Sequence, residues 1–309
     1  MGGRSALVTG ASGFIGRSLA SRLLADGWSV TCVGRRDPKI SGANFVTVEK
    51  LSRDELWRVL PDRGFDAVFH LAAYGVASND RDPAELFNIN VVGTASLVEL
   101  AAKVGADVLV YAGSCAEYSA ANFGTLIDEN HPLATNELYG SSKAAGGLWG
   151  QALAKKLGLK FIWLRFFGVF GPGEAPHRLL PSIVNRLDEG QPVNLTLGEQ
   201  VRDFMHVDDA VEALIKAERV GRNGAVGPFN VCSGQPVTVR EFALALAAAM
   251  GRSSDLLRFG ALALRPGENM WLVGQPRAFQ DVSGFASRLP LAGEIARAAK
   301  SLNLMRASS

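Results

Sequence analysis

The sequence predicts an α/β fold: a doubly wound parallel sheet with helices on both faces, and a smaller mixed domain toward the C-terminus. Two observations carry this. Short β-rich runs alternate with helical stretches through the first half of the chain, and the runs are apolar along their whole length. Strands buried on both faces look like that, because crossover helices cover both sides of a parallel sheet. A third observation marks the smaller domain. Beyond Arg165 the segments shorten and prolines such as Pro181, Pro192, Pro236, Pro266 and Pro290 interrupt them.

The elements follow in order. Ser5-Ala6-Leu7-Val8-Thr9 is an apolar run closed by Gly10, which suits a buried strand. Ile15, Leu19 and Leu23 recur at helical spacing, and Gly27 offers a stop. Val30 to Val33 is the second strand. Ala67 to Leu71, Val108 to Tyr111 and Phe161 to Leu164 are further strands, with helices expected over Val92 to Ala102 and Tyr139 to Lys156. Gly171 to Pro176 reads as a loop. The expected division is 1–167 with 204–231 for the sheet domain, and 168–203 with 232–309 for the smaller one. The latter would cap the C-terminal edge of the sheet, where open α/β folds bind ligands.

Composition narrows the class. With 48% hydrophobic and 20% charged residues, the 309-residue chain can bury a sizeable core, and wholesale disorder is excluded. A net charge of +2 gives no ground for a nucleic acid or anionic membrane partner. No apolar run reaches the ~18 residues of a membrane span. Cys32, Cys115 and Cys232 are odd in number and widely spaced, which suggests reduced thiols. The chain start has no signal-peptide layout, so the expectation is a cytoplasmic protein. His70, His131, His177 and His206 lack metal-ligand spacing, and no metal site is expected.

Tyr139 and Lys143 carry the chemistry. Four residues apart on a helix, they share one face. A phenol beside an ammonium can pass a proton to or from an alcohol, and the cation is expected to lower the tyrosine pKa. Upstream, Gly10-Ala11-Ser12-Gly13-Phe14-Ile15-Gly16 joins the first strand to the first helix. Glycines there let a pyrophosphate approach the backbone at a helix N-terminus, as in a Rossmann fold. Arg35 and Arg36 follow the second strand where an NAD site usually has an acid. They favour the 2′-phosphate of NADP(H), with NAD(H) as the alternative. Ser114, just past the strand ending at Tyr111, could hydrogen-bond a substrate oxygen opposite Tyr139. Cys115 beside it reads as a packed thiol. Arg202 and Arg265 could each clamp a diphosphate, although on position alone a surface ion pair such as Arg202 with Asp203 is the commoner use.

Taken together these residues resemble the extended short-chain dehydrogenase/reductase family, in its nucleotide-sugar branch. The similarity covers nearly the whole chain. Besides the glycine turn and the Ser114, Tyr139, Lys143 set, it includes His70-Leu71-Ala72-Ala73, Asn90-Val91-Val92-Gly93-Thr94, Leu164-Arg165-Phe166-Phe167-Gly168, Arg202-Asp203-Phe204 and Arg265-Pro266-Gly267-Glu268. The resemblance implies Ser114, Tyr139 and Lys143 as a catalytic triad. It implies a dinucleotide lined by Gly10, Gly13, Phe14, Ile15, Gly16, Leu71, Ala72, Ala73 and Phe166, with Tyr139 and Lys143 also touching it. It implies a nucleoside-diphosphate sugar held by Arg202 and Arg265 beside Ser114, Cys115 and Tyr139. Relatives commonly dimerise through the helices matching Val92 to Ala102 and Tyr139 to Lys156.

Departures from the family pattern point to one activity. Sugar-nucleotide 4,6-dehydratases carry an acid where this chain has Ala116. Glu117 comes one place later and, on an extended segment, would point away. Gly168 stands where relatives often place an asparagine. Gly113-Ser114-Cys115-Ala116-Glu117-Tyr118 resembles the corresponding run of reductases acting on 4-keto-6-deoxy sugar nucleotides. The sequence therefore points to NADPH-dependent 4-reduction of a nucleoside-diphosphate 4-keto-6-deoxyhexose. An NAD-dependent 4-epimerase is the alternative, and a non-enzymatic dinucleotide sensor the reading from another class.

Overall fold

The computed structural model describes residues 3–60, 64–76, 80–287 and 291–307. In chain order the elements begin with β1 (Ser5–Thr9), α1 (Phe14–Ala25), β2 (Ser29–Gly34), β3 (Asn44–Thr47), α2 (Arg53–Val59), β4 (Ala67–His70) and α3 (Pro83–Phe87). A π-helical turn, Asn88–Val92, leads into α4 (Gly93–Lys103). Then come β5 (Val108–Ser114), α5 (Leu138–Leu157), β6 (Lys160–Phe166), β7 (Gly168–Phe170), α6 (Leu179–Asp188), β8 (Val193–Leu195), β9 (Val201–Arg202), β10 (Phe204–His206) and α7 (Val207–Arg222). The chain continues through β11 (Gly227–Val231), β12 (Val237–Thr238), α8 (Val239–Ala249), β13 (Leu257–Phe259), β14 (Trp271–Leu272), α9 (Arg277–Ser283) and α10 (Leu291–Ala307).

The main sheet has seven parallel strands in the order β11-β6-β5-β4-β1-β2-β3. The chain winds outward from β1 to β3, then returns to place β4 on the other side of β1. This reversal opens a crevice at the C-terminal ends of β1 and β4, the ligand position of doubly wound sheets. Successive strand residues serve opposite faces. Ala6 and Val8 pack with Leu19 and Leu23 of α1 and Leu214 and Ala217 of α7. Leu7 points the other way, into the core with Leu97 and Val98 of α4 and Trp163. A third core joins α6, α8 and α10 through Leu180, Ile183, Phe242, Leu246 and Ile295.

Each strand and long helix expected from periodicity is present. Three details differ. β5 runs on to Ser114, so that serine closes the strand rather than following it. The helix expected from Val92 starts inside a π turn. β3 (Asn44–Thr47) adds a strand at the sheet edge that is not among those expected. The small sheets β7/β10, β8/β13 and β12-β9-β14 were not predicted, because runs of two or three residues carry no readable period. Among the described residues no helix is long and apolar enough to cross a membrane, and no cluster of three or more His, Cys, Asp or Glu is arranged to hold a metal.

Candidate active site

The glycine turn lies at the switch point. Gly10 has a φ of 75°, and a Cβ there would sit 2.6 Å from the Ala72 nitrogen and the Leu71 carbonyl carbon. Only glycine lets β1 pass that close to the chain leaving β4. A side chain at Gly16 would collide with the Gly10 carbonyl. Gly13 is the N-cap of α1; it offers no side-chain cap, and the first turn, with Phe14 and Ile15, contains no acid. Free N–H groups and the positive end of the helix dipole therefore face the crevice. Leu71, Ala72 and Ala73 are half-buried along its other wall.

Behind this wall runs a closed hydrogen-bond chain. The Thr94 hydroxyl donates to the Asn90 carbonyl at 2.7 Å, so it accepts from His70 Nε2 at 3.0 Å. His70 Nδ1 then accepts from the Thr9 hydroxyl at 2.8 Å, which in turn accepts from the Ala72 N–H at 3.3 Å. Burial, with the Lys143 charge adding to it, holds His70 well below its ordinary pKa and hence neutral. Asn90, on the π turn, bonds both backbone groups of Tyr74 and donates to the Ser142 hydroxyl at 2.9 Å. Ser142 donates to the Tyr139 carbonyl at 2.8 Å. The loop after β4 is thereby tied to the first turn of α5. Gly75, with a φ of 93°, completes the tie, since a Cβ there would be 2.9 Å from the Tyr139 ring. The sequence reading placed Asn90 in a motif and passed over Gly75; the positive φ that singles Gly75 out depends on the folded loop.

Ser114, Tyr139 and Lys143 come together. The Ser114 hydroxyl is near enough to Tyr139 to favour ionisation of its phenol, and both residues are half-buried. Lys143 is 1% exposed, its Nζ 4.1 Å from the centre of the Tyr111 ring and without a hydrogen-bond partner among the described residues. Burial pushes Lys143 down to about 8, with Glu117 opposing. The expected lowering of Tyr139 is reversed. Burial, with Glu117 adding to it, pushes the phenol up to about 12. Desolvation of both groups outweighs the attraction expected from helical spacing.

Glu117 also departs from expectation. Cys115–Glu117 form a 3₁₀ turn instead of an extended segment, and the carboxylate folds back into the protein. It accepts from the Ser114 N–H at 2.8 Å and from Trp163 Nε1 at 3.3 Å, and pairs with Arg165 at 2.9 Å. It is committed to these contacts, so a side chain ready to expel water is missing at Ala116 for a different reason than orientation on a strand.

The remaining sequence-predicted residues sit around this centre. Phe166 pairs in register with Ser114 and is buried. Arg202 lies near Cys115 but pairs with Glu268 at 2.7 Å, not with Asp203. The Asp203 carboxylate instead accepts from Ser233 N–H and Oγ at 2.8 and 2.7 Å and from the Gly234 N–H at 2.8 Å. Arg265 is exposed on the turn that the Glu268 N–H closes back onto the Arg265 carbonyl. Glu268 therefore links the two arginines to one rim. Cys115 is pushed up to about 12 by burial and is a poor nucleophile. Arg35 and Arg36 are exposed past β2 and pair with none of the described residues, whereas Asp37 is engaged by the Lys39 N–H at 2.8 Å and its ammonium at 3.0 Å.

A nicotinamide dinucleotide fits these residues: Gly10 leaves the crevice open, the α1 N-terminus is uncapped, and the buried Lys143 ammonium has no hydrogen-bond partner among the described residues. Fold and site together define the class as a Rossmann-type, nicotinamide-linked oxidoreductase. Comparison with known proteins supplies the family. The NAD dependent epimerase/dehydratase family model matches residues 6–232, and the chain belongs to that family. It is 31% identical over 264 residues to a UDP-glucose 4-epimerase of Mycolicibacterium smegmatis, covering 81% of this chain and 83% of that one. It is 29% identical over 278 residues to the CDP-abequose synthase of Salmonella typhimurium, covering 86% and 88%. Among solved structures, MoeE5 in complex with UDP-glucose and NAD is similar with a TM-score of 0.81 and 28% identity, covering 99% of this chain and 100% of that one.

Proposed function

We propose that the protein reduces the C4 keto group of a nucleoside-diphosphate 4-keto-6-deoxyhexose with NADPH, in the cytoplasm, for deoxysugar and surface-glycan biosynthesis. The observation that carries this reading is the end of β2. Arg35 and Arg36 pair there with none of the described residues, and the nearest acid, Asp37, is occupied by Lys39. Such a site suits a 2′-phosphate and leaves no carboxylate for a 2′-hydroxyl. The bound dinucleotide would supply hydride to C4. Tyr139, a phenol pushed up to about 12, is protonated at neutral pH and so donates to the oxygen developing negative charge. Ser114 hydrogen-bonds the same oxygen, and Lys143 holds the nicotinamide ribose. Arg202 and Arg265 grip the diphosphate, with residues 168–203 and 232–309 forming the substrate domain over the NADP-binding remainder. Purified protein is expected to oxidise NADPH faster than NADH with at least one member of a 4-keto-6-deoxy sugar nucleotide panel. No cofactor consumption with any of them would overturn the reading. Tyr139→Phe should lower kcat by at least ~10²-fold while cofactor still binds; unchanged biological activity would favour a sensor.

The similarity to a UDP-glucose 4-epimerase favours a second reading, 4-epimerisation with recycled NAD. It predicts NAD retained through purification and turnover without added reductant. Identifying the cofactor released on denaturation separates the two.

A further inference from the structure

Glu117 has no part in the chemistry described so far, yet it is the buried carboxylate on which the site's geometry converges. It is wholly buried, on the 3₁₀ turn that follows β5 directly. Its side chain accepts from the Ser114 N–H while Ser114 Oγ accepts from the Ala116 N–H at 3.1 Å, so the serine is clamped from both sides. Room for the carboxylate comes from Gly113, where a Cβ would lie 2.6 Å from Glu117 Oε1. The neighbouring strand β6 pins it through Trp163 and Arg165. From the other side the first turn of α5 closes down, since a Cβ at Gly140 would collide with the Ala116 carbonyl. The turn bearing Glu117 is thus wedged between Ser114 and the helix bearing Tyr139 and Lys143.

We propose that Glu117 is a positioning residue of the Ser114–Tyr139–Lys143 site, fixing the serine and supplying the counter-charge that keeps Lys143 cationic and Tyr139 a proton donor. Lys143 has a buried ammonium with no hydrogen-bond partner among the described residues, and Glu117 is the acid whose charge favours it. The same negative charge disfavours a phenolate at Tyr139. Glu117 touches Arg165 and Trp163 of β6, and its charge acts on Tyr111 of β5, on Tyr118 beside it, and on Tyr139 and Lys143 of α5. Burial works against its ionisation, whereas Arg165, Lys143 and two N–H donors work for it. Such an arrangement keeps the phenol in the protonated form that ketone reduction uses and makes scarce the phenolate that alcohol oxidation uses. The inference therefore deepens the reductase reading and rests on it for direction, although its charge logic does not depend on the sugar.

The test needs no substrate. The chain has four tyrosines, so ring-labelled tyrosine followed by NMR, with Tyr139→Phe as the assignment control, reads Tyr139 ionisation directly. In Glu117→Gln, Tyr139 should begin to ionise about one pH unit lower than in the wild type, while Glu117→Asp restores the wild-type onset. Should Glu117→Gln leave Arg165 unpaired and fail to fold, Glu117→Gln/Arg165→Gln removes both charges and should show a smaller shift in the same downward direction, because the lost cation had opposed the carboxylate. Identical onsets in wild type and a folded charge-removed variant would overturn the proposal. If the shift appears but no 4-keto sugar nucleotide is reduced, the reductase reading fails and the role of Glu117 stands.

Discussion

Lys143 is held in its position at a cost to the fold. Burial lowers it from an ordinary 10.5 to about 8, a penalty on the order of 3 kcal/mol for the charged form. Between those two values the unfolded chain binds a proton that the folded chain resists. The contribution of Lys143 to stability therefore improves as pH rises from about 8 toward 10.5. Lys143→Met should accordingly melt higher than wild type at pH 7, lose that advantage above pH 10.5 and be catalytically dead; equal melting temperatures at pH 7 would contradict this. Arg35 gives a second prediction at this scale. Replacing it with Asp should weaken NADPH binding about tenfold or more, the loss of a charge-assisted hydrogen bond plus new repulsion, and improve NADH binding, read from KM for each cofactor. Both residues could be picked from the sequence, Lys143 by its spacing from Tyr139 and Arg35 by its place after a strand. Their electrostatic states could not, because burial sets them and burial is a property of the assembled protein.

Helix α5 shows what element-level reading yields. Its extent and the shared face of Tyr139 and Lys143 follow from helical periodicity. Its glycines have a purpose that the folded protein alone displays. Gly140, Gly146, Gly147 and Gly150 each meet a neighbour where a Cβ would stand: the Ala116 carbonyl, the Asn90 carbonyl, the Trp163 ring and the Phe161 ring. The helix interior tolerates four poor helix formers because each allows close packing. Gly140→Ala meets rigid backbone and should destabilise by about 1–3 kcal/mol, with kcat falling further than melting temperature suggests as Ser114 and Tyr139 separate. Gly150→Ala meets a side chain that can turn, and should leave kcat nearly intact. Comparing kcat for the two checks this. The π turn ahead of α4 was likewise invisible: Asn88-Ile89-Asn90-Val91-Val92 consists of weak helix formers, but nothing in it marks a widened turn, which shows only where Asn90 reaches Tyr74 and Ser142.

For the whole molecule, ligand linkage and assembly are the relevant quantities. A dinucleotide that binds only the folded chain stabilises it by about 2.7 kcal/mol at a hundred times its Kd. At equal concentrations NADP(H) should therefore raise the melting temperature more than NAD(H); the opposite order would count against the reductase reading. Helix α5 leaves Leu148 and Trp149 54% and 60% exposed. We expect a homodimer through α4 and α5, and Trp149→Glu should convert it to a monomer in light scattering. The sequence by itself determined the sheet, the glycine turn and the shared helix face of Tyr139 and Lys143, because strand burial, backbone approach and helical spacing are local constraints written in residue type. Only the tertiary structure decided that Glu117 folds back against Ser114, that Arg202 pairs with Glu268 while Asp203 binds the backbone of Ser233 and Gly234, and that Tyr139 rests as a protonated phenol. Those outcomes depend on which distant side chains share a buried volume, and on the desolvation that follows when they do.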